Sequence, residues 1–101
     1  MSVLEVTKDN FTETIKSGTV LLDFGAQRCG PCRALAPIIE EIAEETDDVT
    51  FGKVDADEEF ELTLQFGIRN IPTLLLFRDG ELERRSIGLL SKDEVLEFIS
   101  K

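Results

Sequence analysis

The chain has 101 residues, 42% of them hydrophobic, and carries a formal net charge of −10 with no histidine. That length suits one domain, residues 1–101, whose core needs no staple or structural metal. The acidic balance argues against nucleic acid as a partner, which requires a basic surface, and no apolar window approaches the length of a membrane span.

Met1-Ser2-Val3-Leu4-Glu5 lacks a basic stretch followed by an apolar one, so no signal peptide is expected, and the cytoplasm is the expected compartment. Ser2 to Val6 alternates and predicts a short edge strand. Thr7 is a candidate cap for a helix reaching about Ser17, with Phe11 and Ile15 on its inner face and Gly18 ending it. Thr19 to Phe24 is a continuous apolar run, the pattern of a central strand covered on both faces. Asp23 interrupts it. It reads either as a strand-end carboxylate that reaches solvent or as a carboxyl held buried with a raised pKa, able to exchange a proton with Cys32.

After the strand comes Gly25-Ala26-Gln27-Arg28-Cys29-Gly30-Pro31-Cys32, followed at once by a helical pattern. Pro31 suits a first helical turn, because its φ is already helical and its missing N–H would be unpaired there. Cys29 therefore falls at the helix N-terminus, where free N–H groups favour an anion, so its thiolate should be stabilised and its sulfur should be the attacking one. Cys32 lies one turn on, close enough to close a small disulfide ring. A structural disulfide is a weaker reading, since so short a loop removes little unfolded-chain entropy. Zinc needs four ligands, which two cysteines supply only if the metal is shared between two chains. A Cys–His nucleophile is excluded by the absence of histidine. The remaining reading is a reversible dithiol, with no metal and no bound cofactor.

The second helix is predicted from Pro31 to about Thr46, with Leu35, Ile38, Ile39 and Ile42 inward and Glu40, Glu41, Glu44 and Glu45 outward. Pro37 sits inside it and should kink it. Val49 to Asp55 predicts a second central strand, on which Lys53 is either an exposed strand charge or the partner of Asp23. Asp55 and Glu58 have capping-box spacing before a third helix carrying Phe60 and Leu64 and ended by Gly67. Pro72 cannot donate to a sheet and so precedes the strand Leu74 to Phe77. Asp79-Gly80 signals a tight hairpin into Glu81 to Ile87, which Gly88 breaks. Ser91-Lys92-Asp93-Glu94 is a capping box opening a last helix with Val95, Leu96 and Ile99 inward. The order implies an α/β fold: a mixed sheet of about five strands with four helices on its two faces.

The charge is uneven. Between Glu40 and Glu61 there are eleven acids and one base, Lys53, so this segment carries −10 and the remainder is neutral. Such a segment is either a solvated face that aids solubility or a flank that repels wrong partners, leaving Arg28, Arg33 and Arg69 to make the thiol face positive.

Cys29-Gly30-Pro31-Cys32 between strand and helix is accompanied by Asp23, Pro37, Lys53, Ile71-Pro72-Thr73, Phe77, Gly80 and Gly88. On these residues the chain resembles the thioredoxin family over essentially its whole length. The resemblance implies the thioredoxin fold and a protein-disulfide reductase. Cys29 matches the nucleophile, Cys32 the resolving thiol and Asp23 the buried acid–base group, with Lys53 beside it. Pro72 matches a cis-proline facing the disulfide, and Ile71 the residue that pairs by backbone with an extended client segment. Arg28, Gly30, Pro31 and Gly88 complete the implied client-binding surface. The implied partners are disulfide-bearing proteins and a separate thioredoxin reductase, with the protein itself a monomer that needs no membrane. Two positions depart from the pattern: Arg28 and Gly25 stand where the family usually has Trp. Arg28, expected to be exposed, should lower the Cys29 pKa by about 0.4 to 1.7 units beyond the helix effect, in the lower half of that range; as a plain surface substitution it would do little. The missing aromatics also leave room for a narrower client set, a different reductase, or a non-catalytic module that binds through the Ile71-Pro72 groove and the acidic flank.

Overall fold

The computed structural model describes residues 2–100. Its elements run β1 (Leu4–Glu5), α1 (Phe11–Ile15), β2 (Thr19–Gly25), α2 (Gly30–Glu45), β3 (Val49–Asp55), α3 (Phe60–Gln65), β4 (Thr73–Arg78), β5 (Glu81–Ile87) and α4 (Lys92–Ser100). The sheet order is β1-β3-β2-β4-β5, with β1, β3 and β2 parallel and the β4–β5 hairpin antiparallel. The apolar run is thus the central strand, as its lack of alternation requires.

Strand alternation divides the core in two. Val20, Leu22 and Phe24 pack on one face with Phe11 and Ile15 of α1 and Leu62 of α3. Leu21 packs on the other with Leu35, Ile39 and Ile42 of α2 and Val95 of α4. Two residues after Leu21, Asp23 necessarily falls on the α2 face. That single parity brings a carboxyl beneath the helix that begins at the cysteines.

Several local signals act as expected. Asp79 and Gly80 have φ of 51° and 89°, the two positive values that a two-residue hairpin turn needs. The Asp79 carboxylate also accepts the Gly18 N–H at 2.8 Å, tying the turn to the start of β2. Ser91 and Glu94 form a reciprocal capping box, Ser91 N–H donating to Glu94 Oε1 at 2.9 Å and Glu94 N–H to Ser91 Oγ at 3.2 Å.

Three expectations need correction. Thr7 does not cap α1; its N–H donates to Asn10 Oδ1 and its Oγ1 accepts from Asp9, so a turn is spent before the helix starts at Phe11. Asp55 likewise makes a turn instead of a capping box: its carboxylate accepts the Asp57 N–H and its carbonyl accepts those of Glu58 and Glu59, delaying α3 to Phe60. On that helix Leu62 is buried, while Phe60 and Leu64 are 66% and 64% exposed. Leu96 is exposed rather than inward, and the half-buried Phe98 and Ile99 pack against the α2–α4 core instead.

Gly52 on β3, between β1 and β2 in the sheet, is closely packed. A Cβ there would lie 2.6 Å from Val6 Cγ2 and 2.8 Å from Leu22 Cδ2, both fully buried. Gly52→Ala is expected to cost about 1–3 kcal/mol by overpacking, read as a lower urea midpoint at unchanged slope; an unchanged midpoint would show that this layer yields freely.

Candidate active site

The site forms where β2 ends and α2 begins. Cys29 is the N-cap of α2, extended at φ −99° and ψ 117°, and Pro31 sits in the first turn. Cys29 Sγ accepts the Cys32 N–H at 3.2 Å, and its carbonyl accepts the Arg33 N–H at 3.1 Å, so one orphan N–H of the helix end points at this sulfur. Cys29 and Cys32 are joined in a disulfide with a Cα–Cα distance of 5.2 Å. Cys29 is half-buried and Gly30 and Pro31 are exposed, whereas Cys32 is buried.

The Ile71–Pro72 peptide bond is cis, and the Ile71 carbonyl oxygen lies 3.8 Å from Cys29 Sγ. Gly88 joins this loop by donating its N–H to the Pro72 carbonyl at 2.8 Å. Ile87 and Leu89, either side of Gly88, are 59% and 49% exposed and give this edge an apolar surface. The sequence reading named only Gly88 here; two aliphatics flanking a strand-ending glycine were the available signal.

Behind the disulfide is a cleft of about 230 Å³ lined by Asp23, Gly25, Cys32, Arg33, Lys53 and Asp55 among others. Gly25 makes it possible: a Cβ there would lie 3.2 Å from Cys32 Sγ and 3.9 Å from Asp23 Oδ1. The sulfur and the carboxyl therefore flank one small space. Asp23 is 9% exposed, and its Oδ1 is buried without a hydrogen-bond partner. Burial pushes its pKa from 3.8 up to about 7. Of the two readings of Asp23, the structure shows the buried one.

Lys53 stands opposite Asp23 in the β2–β3 register, but its side chain is exposed and forms no ion pair with it. Of the two readings of Lys53, the structure shows the exposed strand charge, whose ammonium keeps its hydration at the mouth of the cleft. Arg28 is a departure. Its Nε and Nη2 donate to Asp57 Oδ2 and Oδ1, each at 3.0 Å. The unopposed cation expected beside Cys29 is thus a paired one, and Asp57 was missed altogether. Gly25 pairs with Asp55 where the two parallel strands end level, and Arg28 and Asp57 follow three and two residues later in the turns beyond. Arg33 donates to the Gln27 carbonyl at 2.9 Å and closes the loop from the other side.

What this geometry supports is reversible exchange between a dithiol and a disulfide at a helix N-terminus, with a proton-holding group beneath. The thioredoxin family model matches residues 2–101. A thioredoxin of Chlamydia muridarum (strain MoPn / Nigg) is 48% identical over 96 residues, covering 95% of this chain and 94% of that protein. A thioredoxin of Bacillus subtilis (strain 168) is 37% identical over 102 residues, covering 100% and 98%. Among solved structures, a mutant thioredoxin from Halobacterium salinarum NRC-1 superposes with a TM-score of 0.92 at 37% identity, covering 97% of this chain and 88% of that one. Thioredoxin f from spinach chloroplast gives 0.89 at 38% identity, covering 97% and 90%. The chain belongs to the thioredoxin family. It is a thiol–disulfide oxidoreductase of the disulfide-reductase type.

The raised pKa of Asp23 makes stability depend on pH with a definite sign. Below about pH 4 the carboxyl is neutral in both states. Between pH 4 and 7 the unfolded chain gives up the proton and the folded chain keeps it, so stability falls as pH rises; above about 7 the whole cost is carried. Asp23→Asn in the oxidised protein is expected to gain on wild type across that window, by up to about 4 kcal/mol at pH 8. Urea unfolding of both proteins from pH 4 to 8.5 measures this, and a difference that stays flat would mean that the carboxyl titrates normally.

Proposed function

We propose that the chain is a single-domain, monomeric cytoplasmic reductase of protein disulfides, carrying electrons from a thioredoxin reductase to its clients without a bound cofactor. In the reduced protein the Cys29 thiolate attacks one sulfur of a client disulfide and expels the other as a thiolate. The Cys32 proton passes to the Asp23 carboxylate across the cleft, and the Cys32 thiolate then attacks Cys29 Sγ. The second client sulfur leaves, and the Cys29–Cys32 disulfide remains for the reductase to reopen. The observation that carries this reading is the division of labour between the two sulfurs. Cys29 is partly open and accepts an N–H, whereas Cys32 is buried above a carboxyl whose pKa of about 7 suits proton transfer at neutral pH.

The remaining residues of the site act on the client. The Ile71 backbone pairs with an extended client segment, which Pro72 and Gly88 hold over the sulfur, with Gly30 and Pro31 forming the floor and Arg28 one wall. The proximity of the Ile71 carbonyl to Cys29 Sγ and the Gly88–Pro72 hydrogen bond support this placement. Lys53, at the mouth of the cleft beside Asp23, favours the ionised carboxylate whenever the cleft is hydrated.

Dithiothreitol-driven reduction of insulin tests the proposal. Wild type is expected to accelerate it well above background and Cys29→Ser to return it to background, while Cys32→Ser accumulates a mixed disulfide through Cys29. Equal, background-level rates for wild type and Cys29→Ser would overturn the general reductase and favour a binding role.

A further inference from the structure

The Arg28–Asp57 pair joins two loops that are each fixed by other bonds. On one side, Cys29 N–H donates to the Ala26 carbonyl at 3.2 Å, which turns the chain back just before the nucleophile. On the other, Ala56 N–H donates to the Gly25 carbonyl at 2.8 Å and Asp57 N–H to Asp55 Oδ1 at 2.9 Å. The Asp57 carboxylate is therefore presented from a braced turn, and it takes both Nε and Nη2 of the guanidinium, the geometry in which an arginine is held most firmly. An exposed pair of this kind contributes little to folding. Its consequence is electrostatic, because Arg28 is the immediate neighbour of the sulfur that must ionise.

We propose that Asp57 is a positioning residue for the redox reaction: by clamping and neutralising Arg28, it sets how much of Cys29 is thiolate and hence how readily the disulfide is reduced. This rests on the reading of Cys29 as nucleophile. An arginine beside a thiol favours the thiolate, which stabilises the dithiol and makes the disulfide more oxidising. The paired carboxylate opposes that effect and returns the site toward a reductant. The other charged groups around the dithiol are Asp23, Lys53, Asp55, Glu5 and Arg33, which line the cleft behind Cys32, and Arg69, which precedes the Ile71 loop. None is altered in the test below, so their contributions cancel.

The test is a charge cycle of wild type, Asp57→Asn, Arg28→Gln and the double variant, each fully reduced. Iodoacetamide alkylation is followed from pH 4.5 to 9 at low ionic strength, and the modified cysteine is identified by peptide mapping. For charges ~7–10 Å from the sulfur in a water-like dielectric, each single change should alter the thiolate fraction at pH 6 about 2–3-fold. Asp57→Asn is expected to raise it and Arg28→Gln to lower it, with the double variant between the two and close to wild type. The reduction potential should follow, more oxidising in Asp57→Asn and more reducing in Arg28→Gln. High salt should shrink all of these differences. Single variants that match wild type, or that move in the same direction, would overturn the proposal. Alkylation that maps first to Cys32 in every variant would instead overturn the assignment of Cys29 as nucleophile.

Discussion

The close approach of Gly25, at the end of the central strand, to Cys32, in the first turn of α2, is the contact on which the rest of this structure depends. It sets a helix N-terminus against the sheet directly above an inward-facing strand position. Because β2 alternates, that position belongs to the Leu21 face, and Asp23 occupies it. Placing an unpartnered carboxyl there costs about 4 kcal/mol once it ionises. Leu35, Ile39 and Ile42, which pin α2 to the same face, each contribute about 1.5–3 kcal/mol on burial. The helix therefore stays docked with its carboxyl in place, and the strained electrostatics are carried by packing a few residues away.

Charge acts on this site at short range only. Four of the segment's eleven acids lie on the outer face of α2, but the helix rises ~1.5 Å per residue, so Glu44 lies about 20 Å along the axis from Gly30. That is about twice the Debye length at moderate salt. The groups nearest the thiols are instead the helix end, Asp23 and Lys53 in the cleft, and the Arg28–Asp57 pair. The acidic segment thus has two parts, a remote solvated face and a few carboxylates brought to the site by the β2–β3 register.

The legibility of the sequence follows the same division between local and long-range causes. The central strand, the cysteine at a helix start, the Asp79-Gly80 turn and the Ser91–Glu94 box depend on a few adjacent residues, and each was readable. Thr7 and Asp55 carried equally good capping chemistry, yet both close turns, because a side-chain oxygen that can cap a helix can also accept from a turn N–H two residues on. Leu96 and Phe98 were exchanged because α4 lies at the periphery, where the apolar stripe is too narrow to define its own centre. Asp23 and Lys53 looked like a pair since both interrupt strands, and they do share a register. What no local pattern shows is that one side chain ends under α2 while the other reaches water. Arg28 and Asp57 meet because two parallel strands end level and each is followed by a hydrogen-bonded turn.

Loss of the usual aromatics at positions 25 and 28 is therefore a rearrangement of the site more than a deletion from it. An aromatic side chain at position 25 would have to turn away from Cys32, given how near a Cβ already comes. Glycine leaves the cleft open to Asp23, and the neighbouring carboxylate, Asp57, holds the arginine at position 28. On the opposite side of the sulfur, Ile87 and Leu89 supply apolar surface, anchored to the cis-proline loop through Gly88. Under the proposed function a client segment lies between a paired charge and an aliphatic edge, with the Ile71 backbone as its main hydrogen-bonding partner. Backbone pairing carries no preference for client side chains. On that reading, discrimination among clients would fall to the aliphatic edge and to the Arg28–Asp57 wall, where a client carboxylate would compete with Asp57 for the guanidinium and a client cation would not.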